Sequence, residues 1–361
     1  MITCLSPNGS TTLAGSALPD RLAVATAEGV VVAERRGEEW AVVSHSLTDR
    51  HIASLAYDEA TNSFFACSYD GGVFASSDDG MSFEARTDAP GGRQAFTIAA
   101  VHVGGALRLY LGTEPVGLFV SSDGAASWSE LEAIAALRSE KWTFPPPPHE
   151  AHLKSIAVDP TGEESLYACI EQGGLFHSDD GGITFVELPN VAMPDDASDK
   201  DIHRVVIDPS RPERLYCTGG DGVVFSDDRG ASWSRIHGRS YAVGYPDALI
   251  VDPRDPARLF LAGASDGPGR WRHSHAANAH VAMSHDRGAS WTLVDTGLPD
   301  PLRANIEAMS FACTPSASSL VLATTDGEVY ESTDEGGHWH LALKGLAPIS
   351  KGGHFHALSV G

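Results

Sequence analysis

The chain has 361 residues, with 25 Lys and Arg against 48 Asp and Glu, for a formal charge of −23. A balance this acidic argues against nucleic acid or an anionic membrane as partner, because phosphate contacts need a basic surface. No stretch reads as a membrane span, and the opening Met1-Ile-Thr-Cys-Leu-Ser-Pro lacks the basic and apolar regions of a signal peptide.

The first predicted strands are Leu22–Thr26, Val30–Ala33 and Trp40–Ser44. A complete set of four follows: Ile52–Tyr57, Phe64–Ser68, Val73–Ser76 and Phe83–Arg86. The last two are joined by Ser76-Ser-Asp-Asp-Gly-Met-Ser-Phe83, a Ser-x-Asp-x-Gly-x-x-aromatic turn. The turn returns at Ser121–Trp128, with Ala125 in place of Gly, and at Ser178–Phe185, Ser226–Trp233, Ser284–Trp291 and Ser332–Trp339. A worn copy at Ala33–Trp40 keeps only Gly37 and Trp40. Repetition at about 40–50 residues marks a propeller, solenoid or array.

Each repeat reads as four short strands, the first lining the axis. Full sets start near His51, Gln94, His152, Asp201, Tyr245 and Asn305. The chain ends supply a seventh, with His356-Ala-Leu-Ser-Val360 returning as the innermost strand beside Leu22–Thr26. Such a closure removes an open strand edge. The expectation is an all-β, seven-bladed propeller of four-stranded blades in one domain over 1–361, or six blades if the first set does not form one.

The turn itself is scaffold. Its Asp and Ser oxygens can accept hydrogen bonds from turn N–H groups, its Gly takes a backbone conformation other residues avoid, and its aromatic ring can fill the groove between sheets. Cys67, Cys169 and Cys217 occupy equivalent strand positions and read as small buried hydrophobes, which fits a reducing, cytoplasmic setting.

Three segments exceed what a blade needs: Ala133–Ala151, Val191–Lys200 and Asp266–Ala279. All fall on the face opposite the repeated turns, and loops gathered at one end of a rigid scaffold are common binding sites. At that same end the inner strands carry an unusual set of residues. One layer aligns as Ala53, Phe96, Lys154, His203, Asp247, Glu307 and His356; the layer two residues earlier as His51, Gln94, His152, Asp201, Tyr245, Asn305 and His354. Arg93, Glu114, His149, Glu171, His273 and His275 lie near the rim.

Three readings of this mouth stand side by side. His51, His152, His203, His354 and His356, helped by Asp247 or Glu307, could hold a divalent transition metal such as Zn, Mn, Fe or Cu. Alternatively, Asp247 or Glu307 could work with His203 or His356 as a metal-free acid–base pair, with Lys154 holding an anionic substrate. Polar residues at a wet mouth can also need no ligand.

The repeated turn resembles the Asp box, or BNR repeat, of sialidases, sortilin ectodomains, oligoxyloglucan-specific cellobiohydrolases and photosystem II assembly propellers. The resemblance implies a propeller; these relatives do unrelated things, so it does not fix an activity. Sialidases use an arginine triad that Arg93, Arg239 and Arg303 do not match. The resulting expectation is a metal-dependent hydrolase or lyase for a small polar, anionic or sugar-like substrate. Asp247, Glu307, Lys154 and Tyr245 would be catalytic, and Arg93, Glu171, His149 and His273 would bind substrate. The alternative is a non-catalytic assembly module that binds a protein partner on the same loop-rich face.

Overall fold

The computed structural model describes residues 1–9, 12–140, 142–145, 148–159, 161, 164–189 and 200–358. Seven sheets radiate from one axis, as expected. The inner strands of the second to seventh blades are Ile52–Asp58, Gln94–Val103, Leu153–Val158, Ile202–Ile207, Tyr245–Asp252 and Ile306–Cys313. Each is followed outward by three antiparallel partners in chain order. The apolar core lies between neighbouring blades; one cluster joins Phe260 and Ile250 of the sixth to Phe311, Leu322 and Trp339 of the seventh.

The six turns share one geometry. Each places two consecutive residues at positive φ, such as Asp79 and Gly80 or Arg229 and Gly230. The Ser76 hydroxyl accepts the Gly80 N–H at 3.0 Å, and Asp78 Oδ1 accepts the Ser82 N–H at 3.0 Å. The same pair of bonds recurs around Asp123, Asp180, Asp228, Asp286 and Asp334. Ala125 holds φ 66° where the other copies have Gly, and its methyl group is packed with no exposure.

Ring closure differs from the expectation. The innermost strand of the first blade is Ile2–Leu5, parallel to Arg21–Thr26, and not the C-terminus. The chain then crosses the axis through Ser6–Gly9, and Thr12–Ala14 pairs in parallel with Ile306–Cys313 of the seventh blade. Ile2, Cys4 and Leu5 are buried against neighbouring strands, which the polar His354–His356 stretch could not match. The C-terminal chain instead straps the seam from above. Leu346 and Ile349 N–H groups donate to Gly327 and Thr324, and Pro348 accepts from Ala27 of the first blade. It ends in a short 3-10 helix, His354–Ala357; the predicted strand's last residues, 359 and 360, lie outside the described residues.

One irregularity repeats in six inner strands. The ladder slips between Ile52 and Ser54, Ala95 and Thr97, Leu153 and Ser155, Ile202 and Arg204, Pro246 and Ala248, and Ile306 and Ala308. The skipped residues are Ala53, Phe96, Lys154, His203, Asp247 and Glu307. A bulge leaves one residue out of the pairing and re-aims its side chain, so two successive residues can serve the axis where a regular strand would offer one. Lys154 accordingly lines an upper cavity and Ser155 a lower one.

Candidate functional site at the upper mouth of the axis

The upper mouth encloses a cavity of about 640 Å3. Its floor includes Asn8 from the N-terminal crossing, its walls Phe96, His152, Lys154, Glu171, Asp201 and Tyr245, and its roof Lys351–Ala357 of the C-terminal strap. Arg272 and His275, from the inserted helix Pro268–Ser274 and its C-cap, complete the rim.

Glu171 anchors one wall. Its Oε2 meets His152 Nε2 at 2.5 Å and its Oε1 meets Lys154 Nζ at 2.5 Å, while His152 Nδ1 meets Glu114 at 3.1 Å. An imidazole between two carboxylates donates from both nitrogens. Burial opposes that charge, but the bonds to Glu114 and Glu171 outweigh it and raise the His152 pKa. Glu171 is held well below the usual carboxyl range: burial would raise it, and Lys154 and His152 reverse the sign. Phe96 stacks on the His152 ring at 4.0 Å and fixes its plane.

His203 sits fully buried behind the next wall. Its Nδ1 donates to the Pro246 carbonyl at 2.8 Å, which turns Nε2 toward Tyr245 Oη at 3.0 Å and Asp201 Oδ1 at 3.3 Å. Burial would raise the Asp201 carboxyl, but His203 brings it below its ordinary value. Burial, then Asp201 and Glu171, push the Tyr245 phenol well up, so it keeps its proton. Ligand atoms of Glu171, Asp201 and His203 lie within 4.8 Å of one another, the sole such group of three found among the described residues.

The third wall is occupied by the protein itself. Lys351 Nζ pairs with Asp247, and the Lys351 N–H donates to Glu307 Oε2. His354 Nδ1 meets Glu307 Oε1 at 2.8 Å, and Asn305 Nδ2 bridges Asp247 and Glu307 at 3.2 and 3.0 Å. Burial would raise both carboxyls; Lys351 and His203 bring Asp247 down, and His354 brings Glu307 down. Burial also lowers Lys351 itself, with Asp247 opposing.

The expected residues therefore separate. Lys154, His152, Tyr245 and Glu171 line the cavity, and His203, fully buried, stands behind that lining against Tyr245 and Asp201. Asp247 and Glu307 lie beneath the strap with their oxygens taken. His354 and His356 line the cavity from the 3-10 helix, not from an inner strand. His51 faces the Ser350 carbonyl at 2.9 Å, and burial lowers its pKa. Lys154 is committed to Glu171 rather than open to an anion. Arg93 pairs with Glu130 at 3.0 Å in a neighbouring hollow. His149 and His273 are exposed, bonded to Phe144 and Gly269 carbonyls at 3.0 Å, and do not line the cavity. The excess segment at Val191–Lys200 lies, but for Lys200, outside the described residues. Sequence reasoning missed Lys351 and Asn8, which follow no repeat and reach the axis only because the chain ends cross it. It also missed Arg272, since nothing in the inserted segment marks which side chain turns inward.

No protein-family model matches the chain. It is 25% identical over 165 residues to the xyloglucanase Xgh74A of Acetivibrio thermocellus, a stretch that covers 41% of this chain and 18% of that protein. The chain thus spans about a fifth of that relative's length. Among solved structures, an ancestral GH74 enzyme aligns with TM-score 0.61 at 20% identity, over 80% of this chain and 38% of that one. YCF48 bound to D1 peptide aligns with TM-score 0.54 at 16% identity, over 81% and 82%. These likenesses establish the propeller fold.

Proposed function

We propose that the upper cavity is the catalytic site of a hydrolase for a small polar, sugar-like substrate, built around a divalent metal held by Asp201, His203 and Glu171. The 3.3 Å separation of His203 Nε2 and Asp201 Oδ1 carries this reading. A charged hydrogen bond of this type normally closes to about 2.7–2.9 Å. Two ligands at about 2.1 Å from one ion stand about 3.0–3.4 Å apart in octahedral to tetrahedral geometry. The Nδ1 bond to Pro246 is the outer contact that orients a metal-binding imidazole. Glu171 keeps lone pairs beyond those that Lys154 and His152 use.

A divalent ion held by Asp201, His203 and Glu171 would supply Lewis-acid polarisation of a substrate oxygen or an activated water. Tyr245, still protonated, donates toward a leaving oxygen, and Asp201 accepts a proton. Arg272 has no ion-pair partner among the described residues and is the cation placed to meet an anionic substituent. The partial match to a xyloglucanase supports a glycoside substrate, and the six turn copies support placing the chain among Asp-box propellers.

Elemental analysis of protein purified without a His tag tests the centre. One divalent ion per chain is expected, lost in Asp201→Asn and His203→Gln and retained in His338→Ala. Metal-free protein whose melting temperature ignores Zn and Mn would sink it.

A second reading has one observation in its favour: the inserted helix presents exposed Arg270, Arg272 and His273 on an otherwise acidic chain. Such a patch suits an acidic protein partner. Partner binding that survives Asp201→Asn but not Arg270→Glu with Arg272→Glu would favour an assembly module.

A further inference from the structure

Below the Pro7–Gly9 crossing lies a second cavity of about 500 Å3, lined by the inner strands of the second to sixth blades and by Thr12–Ala14. It runs toward the face of the repeated turns, with Pro209 and Pro253 at its lower end. Its lining is almost entirely aliphatic, hydroxyl or amide. Arg204 is the sole charged side chain among the described residues that form it.

Arg204 is 5% exposed, and no carboxylate lies within ion-pair distance among the described residues. Its Nε donates to the Asp247 carbonyl at 3.4 Å and its Nη2 to the Pro7 carbonyl at 3.2 Å. Nη1 keeps both hydrogens without a protein acceptor among the described residues. The nearby charges are already matched: Lys351 with Asp247, Lys154 with Glu171, His354 with Glu307. A buried charge without a counter-ion is costly. Burial accordingly lowers the Arg204 pKa from its usual value.

A second polar group points to the same ligand. Ser155, at the matching bulge of the adjacent blade, is 5% exposed and lines the cavity. Its hydroxyl makes no hydrogen bond among the described residues. The inner strands of the second to sixth blades are sheet edges here, so backbone groups also face the axis.

We propose that the lower axial cavity is a binding site for a small oxyanion, held by the Arg204 guanidinium and the Ser155 hydroxyl. A planar fork beside a hydroxyl suits tetrahedral or trigonal oxygens better than a spherical halide. The site is independent of the upper centre, from which the Asn8 crossing separates it. Occupancy would neutralise the Arg204 charge and so stabilise the ring.

The test is melting and calorimetry with inorganic phosphate and with sulfate at fixed ionic strength. Wild-type protein should show a saturable rise in melting temperature with either. Ser155→Ala should weaken binding by about tenfold, the worth of one hydrogen bond. Arg204→Met should abolish the response. Because that variant also strips a donor from the Pro7 carbonyl and one of two from the Asp247 carbonyl, Ser155→Asp gives a second arm: its carboxylate should raise the melting temperature without added anion and remove the phosphate response. Metal content should be unchanged in both serine variants. A flat wild-type response, an equal response to chloride, or a wild-type phosphate response in Ser155→Asp would each overturn the proposal.

Discussion

The two faces of this propeller are built from the same strands and use repetition in opposite ways. At the lower face, six turns repeat the same Ser and Asp and the same two hydrogen bonds. At the upper mouth, six equivalent bulges hold Ala53, Phe96, Lys154, His203, Asp247 and Glu307. Identical residues at equivalent positions answer a demand every blade shares, the closing of a turn. Different residues there cannot answer a shared demand, so they serve something asymmetric at the axis. Part of that asymmetric role is internal, since the strap takes up Asp247 and Glu307. The remainder, Asp201 with His203 buried behind it, borders the open cavity.

The sharpest way to break this contrast is Lys351→Met. It takes the closest cation from buried Asp247, leaving it Asn305 and His203, which should cost about 3–5 kcal/mol in chemical denaturation. A loss below about 1 kcal/mol would mean that the strap merely rests on the mouth, and Asp247 and Glu307 would return as candidates for the active centre.

His152 offers a smaller effect with a defined sign. Its pKa is raised in the folded protein, so its contribution is fully present below the unfolded value of about 6.5 and is lost as pH rises through the folded value. Wild-type stability relative to His152→Gln should therefore decline across that upper window. Parallel stability–pH curves for the two proteins would show that Glu114 and Glu171 do not hold a proton between them.

The mildest change is Asp228→Ala at the lower face. Asp228 accepts the N–H and hydroxyl of Ser232, and those bonds, with one from Ser226, lower its pKa to about 2. The substitution should lower the melting temperature modestly and leave metal content and phosphate binding intact. The native contribution of Asp228 should persist down to the acid range and vanish as pH falls through about 2. Loss of metal without a change in melting would erase the distinction between scaffold and site.

Local patterning determined the blades. Turn chemistry and strand alternation act within about ten residues, so the turns, strand order and the ring layer from Ala53 to Glu307 were legible in the amino-acid sequence. The layer's chemistry was legible only in part. Lys154 is spoken for by Glu171, and Asp247 and Glu307 by a segment that follows no repeat. Which end of the chain supplies the missing inner strand was decided by burial: Ile2–Leu5 fits the apolar inner position, and the Lys351–His356 stretch is drawn over the carboxylates of Asp247 and Glu307. The pairing of Asp201 with His203, and the isolation of Arg204 below them, likewise arise in tertiary structure. Both depend on bulges and on two chain ends crossing a common axis, and contacts between residues so far apart in sequence leave no local pattern to read.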